Sequence, residues 1–106
     1  MKQYPKAYQQ FRVEHPEVFT AYEKLGESAS SAGPLDSKTC ELIKLGMAAA
    51  SKSRSGVQSH THRALEAGTT AAEVEHALVL GVNTLGFSGM MAALTWAKAA
   101  LTDHKS

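Results

Sequence analysis

An all-α fold in a single domain is what this sequence predicts, and three observations carry the expectation. Its 106 residues suffice for one compact core and not for two. Apolar residues recur at intervals of three and four along most of the chain. Nowhere do Val, Ile and Thr alternate with polar residues as in a half-buried strand. Caps and turn residues divide the chain into about six helical stretches, so residues 1–106 are expected to form one helical bundle.

Each stretch has its own signals. Pro5 and Pro16 stand where a first helical residue belongs, because the N–H that proline lacks has no partner there. Tyr4, Ala7, Tyr8 and Phe11 give the first short helix its apolar stripe. A second helix is expected over 16–29, with Val18, Phe19, Tyr22, Leu25, Gly26 and Ala29 packing inward on one face. Residues 30–34 are a loop by composition, and the Asp36 carboxylate is placed to accept from the free N–H groups that open a third helix over 37–51. Between Leu42 and Ala50 only Lys44 is polar, which predicts that this helix is the central, most enclosed one.

Lys52-Ser53-Arg54 interrupts the pattern. Ser55 followed by Gln58 reads as a capping box for a fourth helix, which Gly68 closes. Thr70 with Glu73 repeats that signal for a fifth, whose Val74, Ala77, Leu78, Gly81 and Leu85 share a side. After Gly86-Phe87-Ser88-Gly89 the last helix is expected over 90–101, with Met91, Leu94, Trp96, Ala97, Ala100 and Leu101 on several faces. It is shorter than the roughly 20 apolar residues that cross a bilayer. The apolar surplus therefore predicts a homo-oligomer and no membrane partner.

Composition narrows the function. Eleven Lys and Arg against ten Asp and Glu leave a formal charge of +1, too balanced for generic binding to nucleic acid. One cysteine, Cys40, closes no intrachain disulfide and is too few for a structural zinc site. The N-terminus, Met1-Lys2-Gln3-Tyr4-Pro5, lacks the basic and apolar blocks of a secretory signal, so a cytoplasmic protein is expected.

Two residues invite a chemical reading. Glu41 lies in the first half of the apolar third helix, where an ionised carboxylate is costly to bury alone, unless it forms a surface ion pair with Lys38 or Lys44. His60 lies at the edge of the inward face made by Val57, Thr61, Ala64 and Leu65, half turned to the core. His62 diverges from it, so the pair is a poor chelate and no metal site is expected. His15, His76 and His104 read as structural residues.

The chain resembles the carboxymuconolactone decarboxylase and AhpD-like alkylhydroperoxidase superfamily. The resemblance lies in Gly33-Pro34-Leu35-Asp36, in Lys38-Thr39-Cys40-Glu41-Leu42-Ile43, and in Ser59-His60-Thr61-His62-Arg63-Ala64-Leu65-Glu66-Ala67-Gly68 before Thr70-Ala71-Ala72-Glu73-Val74. It implies an oligomeric AhpD-like helical bundle, a trimer or hexamer. The AhpD-like branch carries Glu-x11-Cys-x2-Cys-x3-His. Laid on that pattern, Glu41 and His60 fall on the glutamate and histidine, while Ser53 and Gly56 occupy the cysteine positions and Ser55 a position that is histidine in some members.

Peroxide reduction by a dithiol needs a thiolate and a second, resolving thiol, and a serine hydroxyl replaces neither. Three readings remain. The decarboxylase branch uses no cofactor or metal, and the resemblance implies a small acid–base enzyme with His60 as proton carrier, Glu41 as its partner, and Ser53, Ser55 and Arg63 binding a small-molecule substrate. A second reading is a non-catalytic binding or scaffold subunit that kept its oligomer. A third is peroxiredoxin-type antioxidant activity through Cys40, although the adjacent Glu41 carboxylate does not activate a thiol.

Overall fold

A computed structural model describes residues 4–105. Residues 1–3, part of the segment read above for a secretory signal, lie outside the described residues, as does Ser106 at the end of the expected domain. The described chain forms α1 (Lys6–Glu14), α2 (Pro16–Ser30), α3 (Ser37–Ala50), α4 (Arg54–Glu66), α5 (Ala71–Val79), a 3-10 turn (Leu80–Asn83) and α6 (Phe87–Lys105). No strand occurs among the described residues.

The local signals act largely as expected. Pro16 opens α2 as its first residue. The Asp36 side chain accepts from Thr39 N at 2.8 Å and caps α3, and that backbone donor is the first cause of its lowered pKa. Thr70 and Glu73 form a reciprocal capping box on α5. At the end of α4, Thr69 N donates to Ala64 O and Gly68 N to Leu65 O, with Gly68 in the left-handed region at φ +100°.

The junction between α3 and α4 differs from the expected one. Lys52 takes φ +57°, so that Lys52 N donates to Ala49 O and Ser53 N to Ala48 O, the same stop that Gly68 makes. Ser53 then caps α4 itself, its hydroxyl accepting from Gly56 N at 3.0 Å. The cap is therefore Ser53 and not Ser55, because α3 ends so tightly that α4 begins at Arg54. Farther on, α5 gives way to the 3-10 turn before Leu85, and α6 is longer at both ends than its apolar run.

The centre of the molecule is α4, a correction to the expected central α3. It packs against both α3 and α6, and it buries Val57, Ser59, Thr61, His62 and Ala64. Helix α3 is covered on one side only: Leu45 and Ala49 are buried, while Ile43 is 41% and Met47 63% exposed. Uniform apolarity did not mean uniform burial. Within the chain α6 is also well covered, through Met90, Ala93, Ala97, Ala100 and Leu101. The apolar surplus expected on α6 falls mainly elsewhere.

Helices α1 and α2 pack on each other as a hairpin beside this bundle. Helix α1 buries no residue and α2 buries only Phe19, so most of the predicted inward face of α2 is exposed, including Val18, Tyr22 and Leu25. Tyr4, just before α1, is buried and stacks on Tyr8, and the Tyr8 ring meets Phe19 edge-on.

Candidate functional site

The tight α3–α4 junction sets two helices side by side, and from their packed faces Glu41 and His60 meet. Glu41 Oε1 lies 3.0 Å from His60 Nδ1, and both side chains are mostly buried, at 16% and 22% exposed. Burial alone would raise the Glu41 pKa. The hydrogen bond and charge of His60, helped by Lys44 and Arg63, outweigh it and hold the carboxyl below its ordinary range. An ionised Glu41 only accepts, so the shared proton belongs on Nδ1, and Nε2 is left outside this contact.

One turn along each helix stands a cation. On α3 the Lys44 ammonium donates to Ser30 Oγ at 2.7 Å, which ties α2 to the bundle. On α4 Arg63 Nη2 donates to Glu23 Oε2 at 2.8 Å and to Tyr8 Oη at 2.6 Å, and its guanidinium lies 5.5 Å from the centre of the Tyr4 ring. Tyr4 Oη donates to Glu66 at 3.1 Å. Burial is the first cause that raises the Tyr4 and Tyr8 pKa values, with Arg63 opposing it in both. The two phenols therefore stay protonated through neutral pH.

Two open grooves flank this cluster, and Tyr22, His60 and Arg63 line both. The first, about 460 Å³, runs along α2 and contains Glu23, Glu27, Glu41 and Lys44. The second, about 430 Å³, lies between α1–α2 and the start of α4, and contains Ser53, Ser55, Gly56 and Ser59 opposite Tyr8, Phe11 and Phe19. Glu41, His60 and Arg63, singled out from sequence, thus share one neighbourhood. Ser53 and Ser55 join His60 in the second groove only, and the Ser53 hydroxyl is already engaged in capping.

Cys40 lines neither groove. Its thiol points toward the carbonyls of Leu35 at 3.6 Å and Ser30 at 3.9 Å. Among the described residues no three His, Cys, Asp or Glu side chains gather to hold a metal ion. Nor is any helix among them long and apolar enough to cross a membrane. His62 sits apart from His60, 1% exposed, with its ring 5.4 Å from Tyr4 and 5.7 Å from His104. Sequence reasoning missed Tyr8, Tyr22 and Glu23 as site residues. The only available signal was an apolar face on α2 larger than the core required.

Residues 16–99 match the model of the carboxymuconolactone decarboxylase family. An uncharacterized protein of Haemophilus influenzae is 34% identical over 59 residues, which are 56% of this chain. The match spans about half, 52%, of that curated relative. Among solved structures, the crystal structure of an apo carboxymuconolactone decarboxylase family protein from Legionella pneumophila is similar with a TM-score of 0.65 and 29% identity. The likeness covers 92% of this chain and 83% of that one.

Proposed function

The chain belongs to the carboxymuconolactone decarboxylase family, and from that premise we propose that it is a cofactor-free acid–base enzyme in which His60, oriented by Glu41, moves a proton to or from a small-molecule substrate. The 3.0 Å contact between Glu41 and His60 at the wall of two grooves carries the reading. Family chemistry supplies the reaction class. When a lactone acid loses CO2, the C–C bond to the carboxylate breaks and its electron pair is held as an enolate. The protonated His60 then delivers a proton from Nε2 to that carbon, and solvent restores it. Glu41 stabilises the imidazolium and fixes the ring. Arg63, Ser53 and Ser55 are the proposed substrate-binding groups, and the working unit is a homo-oligomer.

Incubating the protein with carboxymuconolactone and following CO2 release tests this. Glu41→Gln and His60→Gln are each expected to lower the rate by roughly 10²-fold or more, the usual worth of a positioned acid or base. Wild-type turnover in both variants, or none in the native protein, overturns it. Thiol chemistry draws no support from the geometry, since Cys40 lies outside both grooves. Peroxide consumption that a Cys40→Ser variant loses would restore that reading.

A further inference from the structure

Ser59 stands out in the second groove. It is only 8% exposed yet lines the groove, and its hydroxyl makes no hydrogen bond among the described residues. Some helical hydroxyls satisfy themselves on the carbonyl one turn back. Thr61 does so to Val57 at 2.7 Å, Thr95 to Met91 at 2.9 Å and Thr102 to Lys98 at 3.0 Å. The Ser59 oxygen is thus open to the groove rather than sealed in the core, and a group that enters and displaces water there must accept from it or leave the hydroxyl unsatisfied.

The lining indicates what enters. The first groove has three carboxylates, whereas the second has none among its lining residues and carries His60 and Arg63. Arg63 uses one nitrogen, Nη2, for both Glu23 and Tyr8, so the remaining guanidinium donors are not engaged by those contacts. An anionic group is suited to that end. The groove is also lined by aromatic residues, of which Phe11 and Tyr22 are 42% and 56% exposed, and a flat ligand there would cover part of that surface. About 430 Å³ lies within the range of small-molecule sites, roughly 300–1,000 Å³.

We propose that the second groove binds a small monocarboxylate built on a flat aromatic ring, with the ring against Tyr8, Phe11 and Tyr22 and the carboxylate accepting from the Ser59 hydroxyl beside His60 and Arg63. The proposal assigns a ligand class to the groove that His60 shares with the acid–base site; the lactone acid of the reaction above is not aromatic, so its turnover and the binding of this ligand are separate measurements. Ser59 is a binding residue in it and takes no part in proton transfer.

Benzoate, acetate and benzyl alcohol serve as probes, titrated into the full chain and followed by amide chemical shifts. Benzoate is expected to move the amides of Ser55, Gly56, Ser59 and His60 and to bind at least roughly tenfold tighter than either other probe, because each lacks one half of the ligand. Ser59→Ala and Tyr22→Ala should each weaken benzoate about tenfold while the spectra stay folded, and Lys98→Ala, exposed and remote on α6, should change nothing. Benzoate no tighter than acetate, shifts confined to the first groove, or an unchanged affinity in Ser59→Ala overturns the proposal. Glu41→Gln separates it from the catalytic reading: retained benzoate binding upholds this site whether or not that variant turns over.

Discussion

A methyl group added at Gly56 would stand 2.7 Å from Ser53 Oγ and 3.1 Å from Ala48 Cβ. Alanine ordinarily stabilises a helix by about 1 kcal/mol over glycine. Here the hydroxyl that must move is the α4 cap, whose loss costs about 1 kcal/mol, and the Ala48 contact adds overpacking of about 1–3 kcal/mol. Gly56→Ala is thus expected to destabilise by about 1–3 kcal/mol in urea unfolding. A gain in stability would show that the junction is looser than it looks. Glu41 makes a second residue-level prediction. Its carboxyl is held below the ordinary 4.5, so the native state binds that proton less readily than the unfolded chain does. The contribution is present above the ordinary value and is lost as pH falls through the lowered one. The stability difference between wild type and Glu41→Gln should therefore shrink as pH falls below about 4.5. A difference that grows in acid would contradict this sign.

Arg63 clasps the α1–α2 hairpin to the bundle through Glu23, Tyr8 and the Tyr4 ring, beside the Lys44–Ser30 bond. A hairpin with one buried side chain in α2 and none in α1 has little apolar packing to hold it otherwise. Arg63→Ala is expected to lower hydrogen-exchange protection in α1–α2 by roughly tenfold or more, the worth of one charge-assisted hydrogen bond, while α3–α6 keep theirs. Loss spread evenly over all six helices would place the hairpin inside the cooperative core. The element scale also shows what the sequence made legible. Asp36, Thr70 with Glu73, Pro16 and Gly68 each act within a few residues, and each was readable. The α4 cap was not, because its identity depended on Lys52 adopting a left-handed conformation that a lysine seldom takes. The burial of α3 and α2 was misread for a different reason: periodicity reveals which face is apolar, and says nothing about what covers it.

Across the whole molecule the same distinction divides the site. Glu41 and His60 stood out as a carboxylate on an apolar helix and a histidine half turned to the core, the spacing of a resembling family paired them, and their helices pack as neighbours. Tyr22, Glu23 and Ser59 did not, since they become site residues only when α1–α2 folds over the start of α4. The apolar surface left uncovered leads to a last prediction. Ile43 on α3 and Leu80 of the 3-10 turn line a groove of about 410 Å³, with Leu80 64% exposed, and Met47, one turn along α3 from Ile43, is 63% exposed. An exposed apolar area of this kind is suited to a second copy of the chain. Each large apolar side chain buried there contributes about 1.5–3 kcal/mol, or at least about tenfold in dissociation constant. Wild-type protein is expected to sediment as a multiple of 11.3 kDa. Met47→Glu with Leu80→Glu should shift it to the single chain with its helix content intact. A wild type that sediments as one chain at micromolar concentration, or an assembly indifferent to both charges, would move the interface elsewhere or remove it.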